Sequence, residues 1–475
     1  MKFKHTILIA LIVSVALIGT TVLAQEWANW TEEPIEVPEE KVWTVTFDQP
    51  INPETLNSDY VYVENENTGE KHPTSLDLRE EGRVITVTPD EKYDAGETYQ
   101  LHITDGLKSE KDVALNQNTR QIFTIPDKYE VAQLSDNGDL TVQAEYDTYD
   151  AAREQVAEDG SEVIVFGNNT IWAPDGIVHT DGFTIVYDGK ELGSSKTYVN
   201  TVENGEVELE YIATHPQSIE IKLAGETGYV GHDSANVLPP SQIEGQSVYE
   251  VLDRPDENVL THKVYEDGIY RVYTYGWAPE GLEPGEYQSW DGITFDGQEH
   301  KLFNQLDITK ETNYTAEDLN NYIKEESGHQ NYETFRRAET PPLEGLGDAF
   351  IKAQEEYGVN ALFLMSLAVH ESAWGTSNIA QDKNNLFGLN ASDNDPYGNA
   401  DEFESFEESV MYAGYFIKNG YLNPDDYRYE GPFAGNKTFG LNVRYASDPY
   451  WGQKIAGHMY RADKYLGEKD RQLLE

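Results

Sequence analysis

Two adjacent prolines, Pro341 and Pro342, divide this chain of 475 residues into stretches that read with different periods. Proline has no backbone N–H and fixes its own φ, so a regular element is expected to stop there. Ahead of the pair, apolar residues alternate. Trp43, Val45 and Phe47 share a face, as do Ile85 and Val87, and then Tyr99, Leu101 and Ile103. That period of two, punctuated by "DQPINPET", "NTGEK" and "DAGET", predicts short strands joined by turns. Beyond the pair the period changes. From Asn360 to Ser372 there is no Gly or Pro, and Leu364, Leu367 and Ala368 recur at helical spacing. A chain of this length exceeds one compact core, so β-rich modules followed by a mainly helical domain are expected.

The helical run carries one acid into apolar company. Glu371 falls four residues after Leu367 and seven after Leu364, which sets it on the same face as the leucines. Trp374 and Gly375 follow where the helix is expected to end. A carboxylic acid there is poorly solvated, its pKa rises, and it suits a general acid working near neutral pH. The bland alternative is a helix-terminal glutamate with its tip in water, because buried acids are rare. A zinc pair is excluded: it needs a second histidine four residues after His370, and that position is Trp374. His370 is then a packing or supporting residue. No phosphate loop or Ser-His-Asp order stands out, so neither metal nor cofactor is expected.

The composition narrows the setting. With no cysteine, disulfides, a lipid-anchor cysteine and every thiol nucleophile are ruled out. Lys2 and Lys4, an apolar run from Ile7 to Ile18, and Val22 and Ala24 read as a signal peptide over 1–24, hence a secreted protein without a membrane span after processing. The formal net charge of −52 argues against nucleic acid. The charge reads instead as a solvated surface adapted to salt or alkali, where screening removes repulsion. The stretch "TEEPIEVPEEK" suggests an acidic linker, placed at 25–37.

Resemblance adds to this. "HESAWGTSNIA", "NNLFGLNA" and "YASDPYWGQKIAGHMYRADKYLG", in that order between about 345 and 468, resemble the glucosaminidases of glycoside hydrolase family 73. These bacterial wall enzymes cut N-acetylglucosaminyl bonds of peptidoglycan. "YQLHITDGLKSEKDVALNQNTRQIFTI" is similar to the end of a bacterial immunoglobulin-like domain, and "IEIKLAGETGYVGHDSANVLPP" to a Src-homology-3-like barrel. The expected order is therefore an immunoglobulin-like β-sandwich over 38–126 and a β-rich Src-homology-3-like module over 127–245. A mixed region over 246–340, as in Bacillus-type autolysins, and a lysozyme-like, mainly α catalytic domain over 341–475 complete it. Within these, a helix is expected over 149–157, and a helix capped by Thr315 with Asp318 three residues on. The aromatic run 270–295 reads as core or as sugar-stacking surface.

The resemblance implies roles. Glu371 is the general acid, and a second acidic residue lies on a hairpin before a helix starting about Phe406. The candidates are Asp401, Glu402 and Glu404, with Glu404 favoured. Glu407 and Glu408 fit the first helical turn, where negative charge complements the dipole. Tyr445 lines the cleft and holds the acetamido group or the developing charge, while Asp448 caps or braces, or else acts directly. Asn385, Phe387 and Gly388 form the cleft floor, Tyr397 is a substrate contact, and Trp374 walls Glu371. Tyr450 and Trp451 stack on sugar or pack. The implied reaction is hydrolysis between N-acetylglucosamine and N-acetylmuramic acid by a monomer acting on the glycan strands of the wall. Lytic transglycosylase chemistry on the same fold, and a wall-binding adhesion protein with an inactive domain, are the alternatives.

Overall fold

The computed structural model describes residues 27–31, 33–135, 137–180, 182–200, 207–266, 268–327, 342–390 and 396–474. The expected signal peptide lies outside them. Two compact units are present, one formed by residues up to 130 with 144–152, the other by 131–143 with 153 onward.

The first unit is a β-sandwich. One sheet runs in the order Ala28–Asn29, Thr119–Thr124, Thr98–Ile103, Val61–Asn65, Lys71–His72, and the other Trp43–Thr46, Val84–Pro89, Thr74–Arg79. Alternation explains the packing: Val61, Val63, Ile85, Val87, Tyr99, Leu101, Ile103 and Phe123 fill one core between the sheets. The acidic segment read as a linker is part of this sandwich. Ala28–Asn29 and Ile35–Glu36 both pair in parallel with Thr119–Thr124, and Val37 is buried. Strand pairing consumes backbone groups only, so outward-facing glutamates did not oppose it. The helix expected over 149–157 spans only Tyr149–Arg153.

The second unit holds a seven-stranded sheet in the order Ser195–Val199, Thr184–Tyr187, Glu226–Gly231, Ser218–Leu223, Glu208–Thr214, Ile177–Thr180, Ala235–Leu238. A four-stranded antiparallel sheet follows, ordered Ile269–Trp277, Val259–Glu266, Val248–Leu252, Gly285–Tyr287. The helices Ala316–Ser327, Gly347–Tyr357, Ala361–Ser372, Phe406–Phe416 and Trp451–Leu466 belong to the same unit. Thr315 and Asp318 form the expected reciprocal cap, with bonds of 3.2 and 3.0 Å.

The boundary expected after residue 340 does not separate two cores. Tyr249, Leu260, Trp277 and Phe303 bury into the same cluster as Phe350, Leu364, Leu367, Trp451 and Ile455. Two features seat the C-terminal helix on the four-stranded sheet. A Cβ on Gly457 would lie 2.0 Å from the Thr274 carbonyl oxygen, so only glycine permits the approach. The buried Gln453 amide spans His262 Nδ1 (3.0 Å) and the Tyr249 hydroxyl (2.8 Å), rings that stack 4.0 Å apart. This helix begins at Trp451, so seating it places the indole. Among the described residues no helix is long and apolar enough to cross a membrane.

Candidate active site

The helix Ala361–Ser372 starts at Asn360, whose side chain accepts the Phe363 N–H at 2.9 Å. It is buried on every side from Ala361 to Val369, not on one face alone. Its C-terminal end opens the site. Ala373, Trp374 and Gly375 follow with φ of 48°, 63° and 78°, a left-handed run that turns the chain away, and Ser372 Oγ accepts the Gly375 N–H at 2.7 Å. Glu371, on the last turn, keeps partial access to solvent.

The Glu371 carboxyl accepts one hydrogen bond, from the Trp451 indole N–H at 2.8 Å. Burial pushes its pKa from 4.5 up to about 7; the Trp451 bond opposes this and the Asp448 charge adds to it. Trp451 is buried and stacks on Tyr445, centroids 4.9 Å apart at 28°, and Tyr445 tilts against Tyr421 at 5.4 Å. Burial, together with the Glu371 charge, holds the Tyr445 phenol well above its ordinary pKa, so it stays a hydrogen-bond donor. Asp448 is buried, accepts the Tyr450 N–H at 2.8 Å and pairs with Lys454 at 2.6 Å. Those bonds brace the turn into the Trp451 helix. Burial pulls His370 down to about 4, so it is neutral, and its ring lies 5.7 Å from that of His458.

Several sequence expectations change in detail. The indole touching Glu371 is Trp451; Trp374 turns its ring toward Tyr322, 6.1 Å away. Of the two readings for Trp451 and Tyr450 the structure shows packing: Trp451 is buried against Tyr445, and Tyr450 packs edge-on against His262 at 4.7 Å. Asn385 is fully spent on its own loop: its amide N–H groups reach the Leu389 and Asp401 carbonyls, and its oxygen accepts from Phe387 and Leu389. Phe387 is buried, and Gly388 takes φ 61° at the partly exposed turn. Tyr397 is exposed, its hydroxyl 3.1 Å from Asp382 and its ring beneath Lys383.

The acidic stretch before the helix Phe406–Phe416 contains no strand among its described residues. It is tied as a loop to residues 383–389 through Asp401 N–H to Leu389 and Phe403 N–H to Lys383. Asp401 accepts from Asn390 at 2.8 Å. Ser405 caps the helix, its Oγ accepting the Glu408 N–H at 3.2 Å, and the Glu408 carboxylate reaches one residue past the cap to accept the Glu404 N–H at 2.6 Å. Glu402 and Glu404 are exposed. Among the described residues no group of three or more His, Asp or Glu side chains could hold a metal ion.

Comparison with known proteins follows this geometry. Residues 347–464 match the family model described as mannosyl-glycoprotein endo-beta-N-acetylglucosaminidase. This region is a glucosaminidase-family domain. Residues 31–125 match the bacterial Ig-like domain. A Streptococcus pneumoniae serotype 4 protein provisionally named endo-beta-N-acetylglucosaminidase is 32% identical over 319 residues, covering 61% of this chain and 44% of that protein. A Bacillus subtilis beta-N-acetylglucosaminidase is 28% identical over 131 residues, 25% of this chain and 15% of that one. A solved structure, a catalytic mutant of S. aureus Autolysin E in complex with the disaccharide NAG-NAM, is 24% identical with a TM-score of 0.27, covering 36% of this chain and 75% of that one. The chain spans less than half the length of the pneumococcal protein, whose similarity runs well beyond the glucosaminidase domain.

Within the glucosaminidase domain the state of Glu371 has a stability consequence. Its folded-state pKa lies above the unfolded value, so the folded chain binds the proton more tightly. Stability is full below about pH 4.5, declines as pH rises toward 7, and stays reduced above, by about 3 kcal/mol. Glu371→Gln removes that loss. It is expected to melt like the wild type at pH 4 and above it at pH 8; a difference independent of pH contradicts the assignment.

Proposed function

We propose that the chain is a secreted peptidoglycan hydrolase that cleaves the β-1,4 bond on the reducing side of N-acetylglucosamine. The observation that carries this reading is Glu371: in a glucosaminidase-family domain, an acid raised to about 7 with one indole donor and partial access to solvent. In the reaction, the Glu371 proton passes to the glycosidic oxygen as the bond to the anomeric carbon breaks, and the transition state gains oxocarbenium character. The Tyr445 hydroxyl donates to the acetamido group of the sugar. Water then adds to the anomeric carbon, and its proton passes to a second carboxylate.

We assign that carboxylate to Glu404. Asp401 is engaged by Asn390 and Glu408 by the helix cap, whereas Glu404 is exposed immediately before the capping serine. Glu404→Gln is expected to slow wall cleavage more than Asp401→Asn, Glu402→Gln, Glu407→Gln or Glu408→Gln. If Asp401→Asn or Glu402→Gln is the worse lesion, the assignment within this loop is wrong. If all are mild, the acetamido oxygen of the substrate acts as the internal nucleophile instead.

Reducing-end analysis of digested wall tests the whole reading. Free N-acetylglucosamine ends are expected. Anhydromuramic ends mean transglycosylase chemistry, and wall binding without cleavage means an adhesion module.

A further inference from the structure

The loop that carries Tyr445 is held from behind by the seven-stranded sheet, far away in sequence. Among the described residues, Ser195–Val199 is the edge strand of that sheet and pairs on one side only, with Thr184–Tyr187. An edge strand leaves a row of hydrogen-bonding groups to be covered. Here the Tyr445 loop lies against it, bound by two side-chain hydroxyls of the strand and by one backbone N–H just past its end. The buried Thr197 hydroxyl donates to the Val443 carbonyl at 2.8 Å, the Tyr198 hydroxyl to the Arg444 carbonyl at 3.1 Å, and the Asn200 N–H to the Ser447 carbonyl at 3.0 Å. These acceptors bracket Tyr445 in the chain.

A buried lysine grips the same loop. Lys437 is fully buried, and its ammonium donates to the carbonyls of Asn442 (3.0 Å), Val443 (3.5 Å) and Ala446 (2.9 Å). Three acceptors use the three N–H bonds of an ammonium. Its Nζ also lies 4.7 Å from the Tyr198 ring centroid, which links lysine and strand. Burial pulls the Lys437 pKa down to about 7, and the three carbonyl acceptors favour its charged form. Among the described residues, the hydrogen bond that Glu371 makes goes to Trp451 and to none of Thr197, Tyr198 and Lys437. The reach of this cluster to the acid runs through Tyr445, which stacks on Trp451, whose indole N–H bonds the carboxyl.

We propose that Thr197 and Tyr198, with Lys437, are positioning residues for the glycosidase reaction: the edge of the middle sheet fixes Tyr445, and through the Trp451 stack keeps Glu371 shielded from water. The middle sheet is then part of the catalytic apparatus, beyond any role in wall attachment. This rests on the reading of Glu371 as the acid.

The test uses the full chain with Thr197→Val, Thr197→Ser, Tyr198→Phe and the double variant Thr197→Val/Tyr198→Phe. Valine keeps the shape of threonine and loses the donor; serine keeps the donor; phenylalanine keeps the ring beside Lys437. The double variant is expected to lose about tenfold in kcat on wall with KM within about twofold, because small misplacement of a catalytic group is costly. Its alkaline limb in kcat/KM is expected to shift to lower pH as water reaches Glu371, and Thr197→Ser is expected to match the wild type. Amide hydrogen exchange over 441–447 is expected to accelerate in the double variant. Unchanged kcat and limb, or a rise in KM at constant kcat, overturns the proposal even if the melting temperature falls. If the wild type cleaves no wall, the hydrolase reading fails. The exchange measurement still decides the clamp: unchanged protection over 441–447 overturns it, and faster exchange supports it.

Discussion

In the Glu371→Gln chain, wall cleavage is expected to fall by roughly two or more orders of magnitude, the usual scale for losing a general acid. The physical case is specific. Glutamine keeps the length and planarity of the side chain, and its carbonyl oxygen accepts the Trp451 N–H as the carboxyl does. It carries no proton that can be given to a leaving oxygen. The helix that holds it is capped by Asn360 and buried along Ala361–Val369, so the fold does not depend on the acid. Turnover is measured by release of soluble wall fragments, with circular dichroism as the control for folding. Near-wild-type cleavage by this variant removes Glu371 from the chemistry.

Tyr445→Phe is expected to produce the second largest loss, about a hundredfold in kcat with little change in melting temperature. Phenylalanine retains the 4.9 Å stack on Trp451 and the tilt against Tyr421, so the packing survives. Only the hydroxyl goes. That hydroxyl stays protonated across the working pH range because burial and the Glu371 charge both oppose its ionisation. A donor of this kind matters most where charge develops, so the loss belongs in kcat more than in KM. A variant within about twofold of wild type shows that Tyr445 serves only as packing for Trp451.

Much of the acid helix was legible in the sequence. The span without Gly or Pro, the stop at Trp374 and Gly375, and the elevated acid all follow from local pattern. The face argument does not survive, because the helix is buried all round. Glu371 keeps access to solvent because the helix ends one residue later and three left-handed residues carry the chain aside. Trp451 reads in sequence as a sugar-stacking candidate, since nothing local shows that its N–H meets an acid eighty residues away. Asn385 reads as cleft floor, whereas its amide is consumed by its own loop, a matter of hydrogen-bond satisfaction that composition does not reveal. The contact between Thr197 and Val443 joins positions 246 residues apart and leaves no periodic trace in either segment. Nothing in the polar segment around Lys437 shows that this lysine is wholly buried. At the other end of the chain, charge and proline suggested a linker, while parallel pairing with Thr119–Thr124 needed only backbone groups.

The ionisation of Glu371 can be watched directly through its indole partner. With isotope-labelled tryptophan in the full chain, the Trp451 indole N–H resonance, assigned by its loss in Trp451→Phe, is followed by NMR as pH is varied. A midpoint near 7 in the wild type and no titration in Glu371→Gln is the predicted result. A midpoint near 4.5, the ordinary value for a glutamate, contradicts it: Glu371 is then ionised at neutral pH and is not the proton donor.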